Sequence, residues 1–171
     1  GTLASLSNDI QKLLIEKNTV PGFICTDQEG GRVARLTNGG THFISNMAMA
    51  GTGDFNNTYL EGVAMGKELR NYGINVDFAP VLDVNNNPNN PIIGIRSYSD
   101  NPLLVSLYGK NMFLGLQESN VMGCSKHFPG HGDCEVDSHL GLPTINYDLD
   151  RIHKSEMHPF KENIDVPAIM S

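Results

Sequence analysis

The densest run of chemically able side chains is Lys126-His127-Phe128-Pro129-Gly130-His131-Gly132-Asp133, followed closely by Asp137-Ser138-His139 and Leu142-Pro143. A lysine and a histidine stand side by side there. Two more histidines follow on a segment punctuated by Gly130, Gly132 and Gly141, which predicts a loop, mobile over roughly 128–139, with little to bury. Asp137 and His139 are two positions apart, so in an extended segment their side chains leave on the same side. The carboxylate can then accept from one imidazole nitrogen, fixing the tautomer and leaving the other nitrogen for a substrate. General acid–base catalysis needs that arrangement. The H-x3-H-x7-H spacing of His127, His131 and His139 also allows a metal, but H-x3-H gives ligand geometry mainly on a helix. Pro129 and its neighbouring glycines argue against one, so neither a metal nor a cofactor is expected. Each histidine could instead satisfy backbone groups in a loop, and His131 could serve only to shape it.

Further candidates lie upstream. Asp27 and Glu29 follow directly on the apolar run Val20–Thr26; Asp27 reads as functional and Glu29 as structural. Gly30-Gly31 lacks the pattern of a phosphate-binding loop. Arg96 could contact a ligand or pair with Asp100 or Asp83, and the role of Asp83 stays open.

These residues must be positioned by something. Leu3, Leu6, Ile10, Leu13 and Leu14 recur at helical spacing and predict a helix ending near Asn18. Short apolar runs over 20–26, 74–80, 121–126 and 167–171 read as strands. Helices are expected over 58–72, closed by Gly73, from Pro102 to about Ser119, and over 149–163. Strand, polar loop and helix in repetition predict parallel βα units, with every chemically able residue just past a strand. Barrels and open parallel sheets both gather their sites there. Four strands cannot close an eight-stranded barrel.

The bulk numbers narrow the function. With 171 residues, 39% hydrophobic and 18% charged, the chain reads as one globular domain over 1–171. A net charge of −7 without a basic cluster speaks against nucleic acid and anionic membranes. No stretch approaches the ~20 apolar residues of a membrane span. The three cysteines, Cys25, Cys124 and Cys134, fit buried thiols rather than a zinc site. No signal peptide is visible, which tilts the compartment towards the cytoplasm. Yet the sequence opens on Gly1 and enters a helix at once, so it reads as cut from something longer.

The segments TDQEGGRVARL (26–36), INVDFAPVLDV (74–84), IGIRSYSDNP (93–102), KHFPGHG (126–132), DSH (137–139) and LPTI (142–145) resemble, in order and spacing, one branch of the family 3 glycoside hydrolases. That branch is the β-N-acetylglucosaminidase (NagZ-like) one. The resemblance implies about half of a TIM-type (β/α)8 barrel, four parallel strands with intervening helices. It also implies a retaining mechanism that removes terminal β-linked N-acetylhexosamine. By position His139 is the acid/base and Asp137 its partner, while Asp27, Arg35, Arg96, Lys126 and His127 contact the sugar. The implied partner is a muropeptide or an oligosaccharide containing N-acetylglucosamine. With no Trp to stack on, hydrogen bonds must hold it. The family's nucleophilic aspartate is expected beyond the last residue, in a context that neither Asp148 nor Asp165 matches. The 171-residue chain alone is therefore expected to be inactive and to self-associate. A β-glucosidase-like enzyme and a non-catalytic sugar-binding fragment are the alternatives.

Overall fold

The computed structural model describes residues 2–17, 19–134 and 147–171; Asp137, His139 and Leu142-Pro143 lie outside the described residues. Helix α1 (Leu3–Glu16) leads to strand β1 (Cys25–Thr26), a short α2 (Asn46–Ala50) and α3 (Phe55–Asn71). Strand β2 (Val76–Asp77), a 3₁₀ turn at Gly94–Arg96, α4 (Pro102–Glu118) and β3 (Met122–Ser125) follow. Helices α5 (Leu149–Lys154) and α6 (His158–Glu162) then lead to β4 (Ala168–Ile169). The four strands form one sheet in the order β1-β2-β3-β4. Every pairing is parallel, with Thr26 opposite Asp77, Asp77 opposite Gly123, and Ser125 opposite Ile169. Strands that neighbour each other in sequence order are what a barrel wall requires; a doubly wound sheet reverses direction partway.

Local chemistry explains the boundaries. Helix α3 begins three residues before the expected Thr58 because the Asp54 side chain accepts from Asn56 N at 2.9 Å. It ends where Gly73, with φ +77°, supplies the left-handed turn. Asn101 caps α4 through Leu103 N at 2.9 Å, with Pro102 as its first residue. The single helix expected over 149–163 is instead two. Glu156 turns inward at the break to accept from Asn86 Nδ2 at 2.9 Å, and Pro159, which has no N–H to give, sits in the first turn of α6. Helix α2 carries no amphipathic period and was invisible in the pattern.

The outer layer is held by an unusually close crossing. A Cβ on Gly62 of α3 would lie 2.7 Å from the Met112 carbonyl oxygen, and one on Gly115 of α4 would lie 2.3 Å from that of Tyr59. The helices therefore touch backbone to backbone. Met65, Leu69, Met112 and Leu116 flank the crossing and pack with Ile74, Ala79 and Val121, which adjoin β2 and β3 in the sequence. A second cluster, Leu82, Val84, Tyr98, Val105, Tyr108 and Phe160, sits under the carboxyl ends of the strands. Cys124 and Cys134 are buried as expected, whereas Cys25 is exposed. It lies on β1, at the margin of the sheet, where no described element covers it.

The backbone beyond β2 and β3 stays paired. Val81 bridges Lys126 in parallel, and Leu82 N donates to the Lys126 carbonyl at 2.6 Å. This continuation puts the chain after β2, with Asp83, against the chain after β3, with Lys126 and His127. The Ala79–Pro80, Lys126–His127 and Phe128–Pro129 peptide bonds are cis.

Candidate active site

Lys126 leaves the end of β3 and points into the array with only 1% of its surface exposed. Its Nζ donates to Asp27 Oδ1 at 2.7 Å and lies 2.6 Å from Glu29 Oε1. Glu29, itself 2% exposed, also receives Arg96 through two contacts, Nε to Oε2 at 2.8 Å and Nη2 to Oε1 at 2.7 Å. That forked geometry fixes the guanidinium plane as well as its charge. Glu29 therefore aligns an ammonium and a guanidinium at once.

The second carboxylate hub is Asp83, fully buried behind His127. Its Oδ2 lies 2.6 Å from His127 Nδ1, and its Oδ1 accepts from the backbone N–H groups of His127 at 3.3 Å and His131 at 2.7 Å. Arg96 Nη2 lies 3.4 Å from His127 Nε2. A guanidinium offers only donors, so Nε2 is the bare nitrogen and Nδ1 carries the proton towards Asp83. Burial opposes ionisation of Asp83, but the His127 ring and both backbone donors hold its carboxyl below the usual range. Burial likewise opposes ionisation of Asp27, and Lys126, with Arg35 and Arg96 beyond it, outweighs that effect. Asp77 is the opposite case. Burial lifts its carboxyl well above the ordinary value, against the N–H of Gln28 at 2.9 Å and the Lys126 charge, while Glu29 and Asp27 push it further up.

These groups open on a cavity of about 800 Å³ whose walls include Asp27, Arg35, Arg96, Lys126 and His127 beside apolar Phe78 and Phe128. A second hollow of about 960 Å³ beside Tyr98 and Tyr108 has, among the described residues, no Lys, Arg or His in its walls. Among the described residues no group of three or more His, Cys, Asp or Glu side chains could hold a metal ion. Fixed donors and acceptors facing a cavity can hydrogen-bond a polyhydroxylated ring, and charge-assisted bonds of this kind are the stronger ones.

Asp27, Arg96, Lys126 and His127 converge, as the sequence suggested. Arg35 stands at the rim, 3.7 Å from Asp27 Oδ2 with its side chain 60% exposed, on a segment braced by Gln28 Oε1, which accepts from Arg35 N at 2.8 Å. Arg96 pairs with Glu29 rather than with Asp100 or Asp83. Glu29 and Asp83, not chosen as site residues from sequence, are the two supports of the array. Both lie a few residues beyond a strand, Glu29 after β1 and Asp83 after β2, a signal that was present but weak. The expectation that the loop buries little does not hold for its first part. Gly130, His131, Gly132 and Cys134 are buried, and a Cβ on Gly132 would lie 1.7 Å from the Val84 carbonyl oxygen. Those glycines serve close approach to the fold.

A sequential parallel sheet with charged groups gathered at the carboxyl ends of its strands defines an α/β protein of the barrel class, with its site where barrels carry theirs. The model of the glycosyl hydrolase family 3 N terminal domain matches residues 2–171, and the chain belongs to that family. It is 45% identical over 168 residues to beta-hexosaminidase A of Pseudoalteromonas piscicida, covering 95% of this chain and 28% of that protein. A family 3 β-N-acetylglucosaminidase structure from Paenibacillus sp. str. FPU-7 superposes with a TM-score of 0.96 at 45% identity, covering 99% of this chain and 32% of that one. NagZ from Neisseria gonorrhoeae, in complex with N-trifluoroacetyl-D-glucosamine, gives 0.88 at 31% identity, covering 98% of this chain and 51% of that one. The chain thus spans about a third to a half of these structures and folds as half of a TIM-type (β/α)8 barrel.

The Asp83 hub makes a sharp prediction. In Asp83→Asn, an amide oxygen that keeps the two backbone donors turns its NH₂ towards His127 Nδ1. The imidazole proton must then move to Nε2, where it faces the donors of Arg96. One mispaired buried group costs about 1–3 kcal/mol, so the variant is expected to be less stable by about that amount. Chemical denaturation of the whole protein and its variant measures this; equal stabilities would mean that Asp83 does not fix the tautomer of His127.

Proposed function

We propose that the whole protein carrying this chain is a glycoside hydrolase that removes terminal β-linked N-acetylhexosamine, N-acetylglucosamine above all, by a retaining mechanism. One observation carries the reading: Asp27, Arg96, Lys126 and His127 line one cavity and are held there by the buried carboxylates of Glu29 and Asp83. Lys126 and Arg96 donate to sugar hydroxyls and are kept in place by Glu29. Asp27, with Arg35 at the rim, supplies an acceptor, and His127 presents one defined nitrogen. A site of this kind rejects an analogue lacking the matching hydroxyl, because its own buried groups would be left unpaired. His139 protonates the leaving oxygen and later activates water, with Asp137 fixing its tautomer. The attacking aspartate comes from beyond Ser171. Muropeptides or chitin-type oligosaccharides are the natural substrate classes, and the chemistry calls for no cofactor.

Turnover of a nitrophenyl N-acetylglucosaminide by the whole protein, compared with the glucoside and repeated with a chelator, tests this. Hydrolysis of the N-acetyl substrate, weak or absent glucoside hydrolysis and indifference to chelator are expected. Preference for the glucoside supports the β-glucosidase-like alternative, and loss with chelator a metal-dependent one.

The sugar-contacting array lies within this chain, which favours a second reading for the 171 residues by themselves: a sugar-binding unit without turnover. Val20, Phe23, Ile164 and Ile169, each more than half exposed, lie near the margins of the sheet, and β1 and β4 each lack a second neighbour among the described strands. Open strand edges and apolar surface invite pairing with another copy. Sedimentation should therefore show self-association; a monomer with measurable hexosaminidase activity would contradict both parts.

A further inference from the structure

Arg35 stands at the rim of the cavity with little of its own to hold it. Its guanidinium lies 3.7 Å from Asp27 Oδ2 and its side chain is 60% exposed. A surface ion pair of that kind restrains a long, rotamer-rich side chain only weakly. Nor does a helix or strand carry it, since Arg35 lies in the loop between β1 and α2. What fixes the backbone there is Gln28, which is only 1% exposed. Its Oε1 accepts from Arg35 N at 2.8 Å and from Leu36 N at 3.1 Å. Gln28 is tied to the sheet in turn, because its own backbone N–H donates to Asp77 Oδ1 on β2 at 2.9 Å. Leu36 packs against the cluster of Met65 and Leu69, and a Cβ on Gly40 would come 2.4 Å from the Leu36 carbonyl oxygen, so the loop doubles back at once.

We infer that Gln28 is a positioning residue for sugar contact by Arg35: one buried amide oxygen, anchored to β2 through Asp77, sets where the arginine leaves the loop beside Asp27. The inference rests on the hexosaminidase reading, in which Arg35 contacts the sugar, and adds a group that does not itself line the cavity. Two N–H groups converge on one carbonyl oxygen, which has a lone pair for each. The amide nitrogen Nε2 has no partner among the described residues, so the oxygen alone carries the role. A thioether side chain of similar length would leave both donors without that acceptor, a costly state away from water. The loop would then settle where other acceptors reach those groups, and the guanidinium would move with it. Holding a binding group in place beforehand lowers the ordering cost that a ligand must meet.

The test is calorimetric titration of the whole protein with N-acetylglucosamine, as wild type, Gln28→Met, Arg35→Ala and the double variant. Arg35→Ala should weaken binding about tenfold to a hundredfold, as for a lost hydrogen bond to a charged group. Gln28→Met should weaken it about threefold to tenfold with Arg35 present, and by less than about twofold in Arg35→Ala, because the two residues act as one unit. On a nitrophenyl N-acetylglucosaminide the Gln28→Met loss should appear as a raised KM with kcat nearly unchanged, the mark of a contact made equally in ground and transition states. Gln28→Glu retains the acceptor and gives up no bond of Nε2, so it should bind better than Gln28→Met. Should Gln28→Met fail to fold, Gln28→Asn, whose amide stops one carbon short, serves for the same comparison. Equal losses in both backgrounds, or a Gln28→Glu variant no better than Gln28→Met, would overturn the positioning role while leaving the hexosaminidase reading standing. Unchanged affinity in Arg35→Ala would overturn it as well. A wild-type protein that hydrolyses no N-acetyl substrate would remove both.

Discussion

Lys126→Met is expected to destabilise the protein by about 3–5 kcal/mol and to abolish measurable sugar binding. The ammonium is the shared counter-charge of two carboxylates, one of them fully buried. Removing one partner of a buried pair leaves an uncompensated charge, the costly case, even though the intact pair contributes little net stability. Methionine keeps the apolar length of the side chain, so the loss reports on charge rather than on a hole in the core. Glu29 retains its contacts with Arg96, but Asp27 Oδ1 loses its nearest donor. Chemical denaturation of the whole protein checks the first part and calorimetric titration the second. Adding Glu29→Gln should return some of the stability, since one buried charge goes with the other, while binding stays lost. A single variant as stable as the wild type would mean that water reaches the array and the carboxylates need no partner.

His139→Ala should lower turnover on a natural disaccharide by about 10²–10⁴-fold, the range for a positioned general acid–base group. Sugar contact is assigned to other residues, so affinity for N-acetylglucosamine should hardly move. The glycosylation step on substrates with good leaving groups should suffer less, because the departing oxygen needs little help. Steady-state and single-turnover rates on both substrate types separate these steps. Near-normal turnover of the disaccharide would assign the acid role elsewhere.

Much of this arrangement was legible in the residues. The strand positions followed from short apolar runs, and the helix opening at Pro102 and the one closing at Gly73 from capping chemistry, because those signals are local; the cap at Asp54 went unread, and that helix was expected to start only at Thr58. The strands proved shorter than the apolar runs, since pairing depends on neighbours far along the chain. Position after a strand gave Asp27, Lys126 and His127, and the family motif gave Arg35. The supporting carboxylates were harder. A glutamate at position 29 reads like any loop carboxylate until the fold brings Arg96 and Lys126 to it. The break at Glu156 was hidden for the same reason: only the tertiary contact with Asn86 turns that residue inward. Glycines 130 and 132 were read as freedom, whereas packing against Glu156 and Val84 makes them a fit.

The crossing of α3 on α4 bears on how this sequence can diverge. At Gly62 and Gly115 a carbonyl oxygen occupies the space where any side chain would begin. No catalytic duty attaches to either position, so the demand there comes from architecture alone. A descendant that gave up its chemistry could discard Asp27 or Lys126, given compensating changes around them, and still fold. It could not put even alanine at Gly115 without prising the two helices apart. Ancestry should therefore persist in these glycines after every trace of the sugar site has been erased.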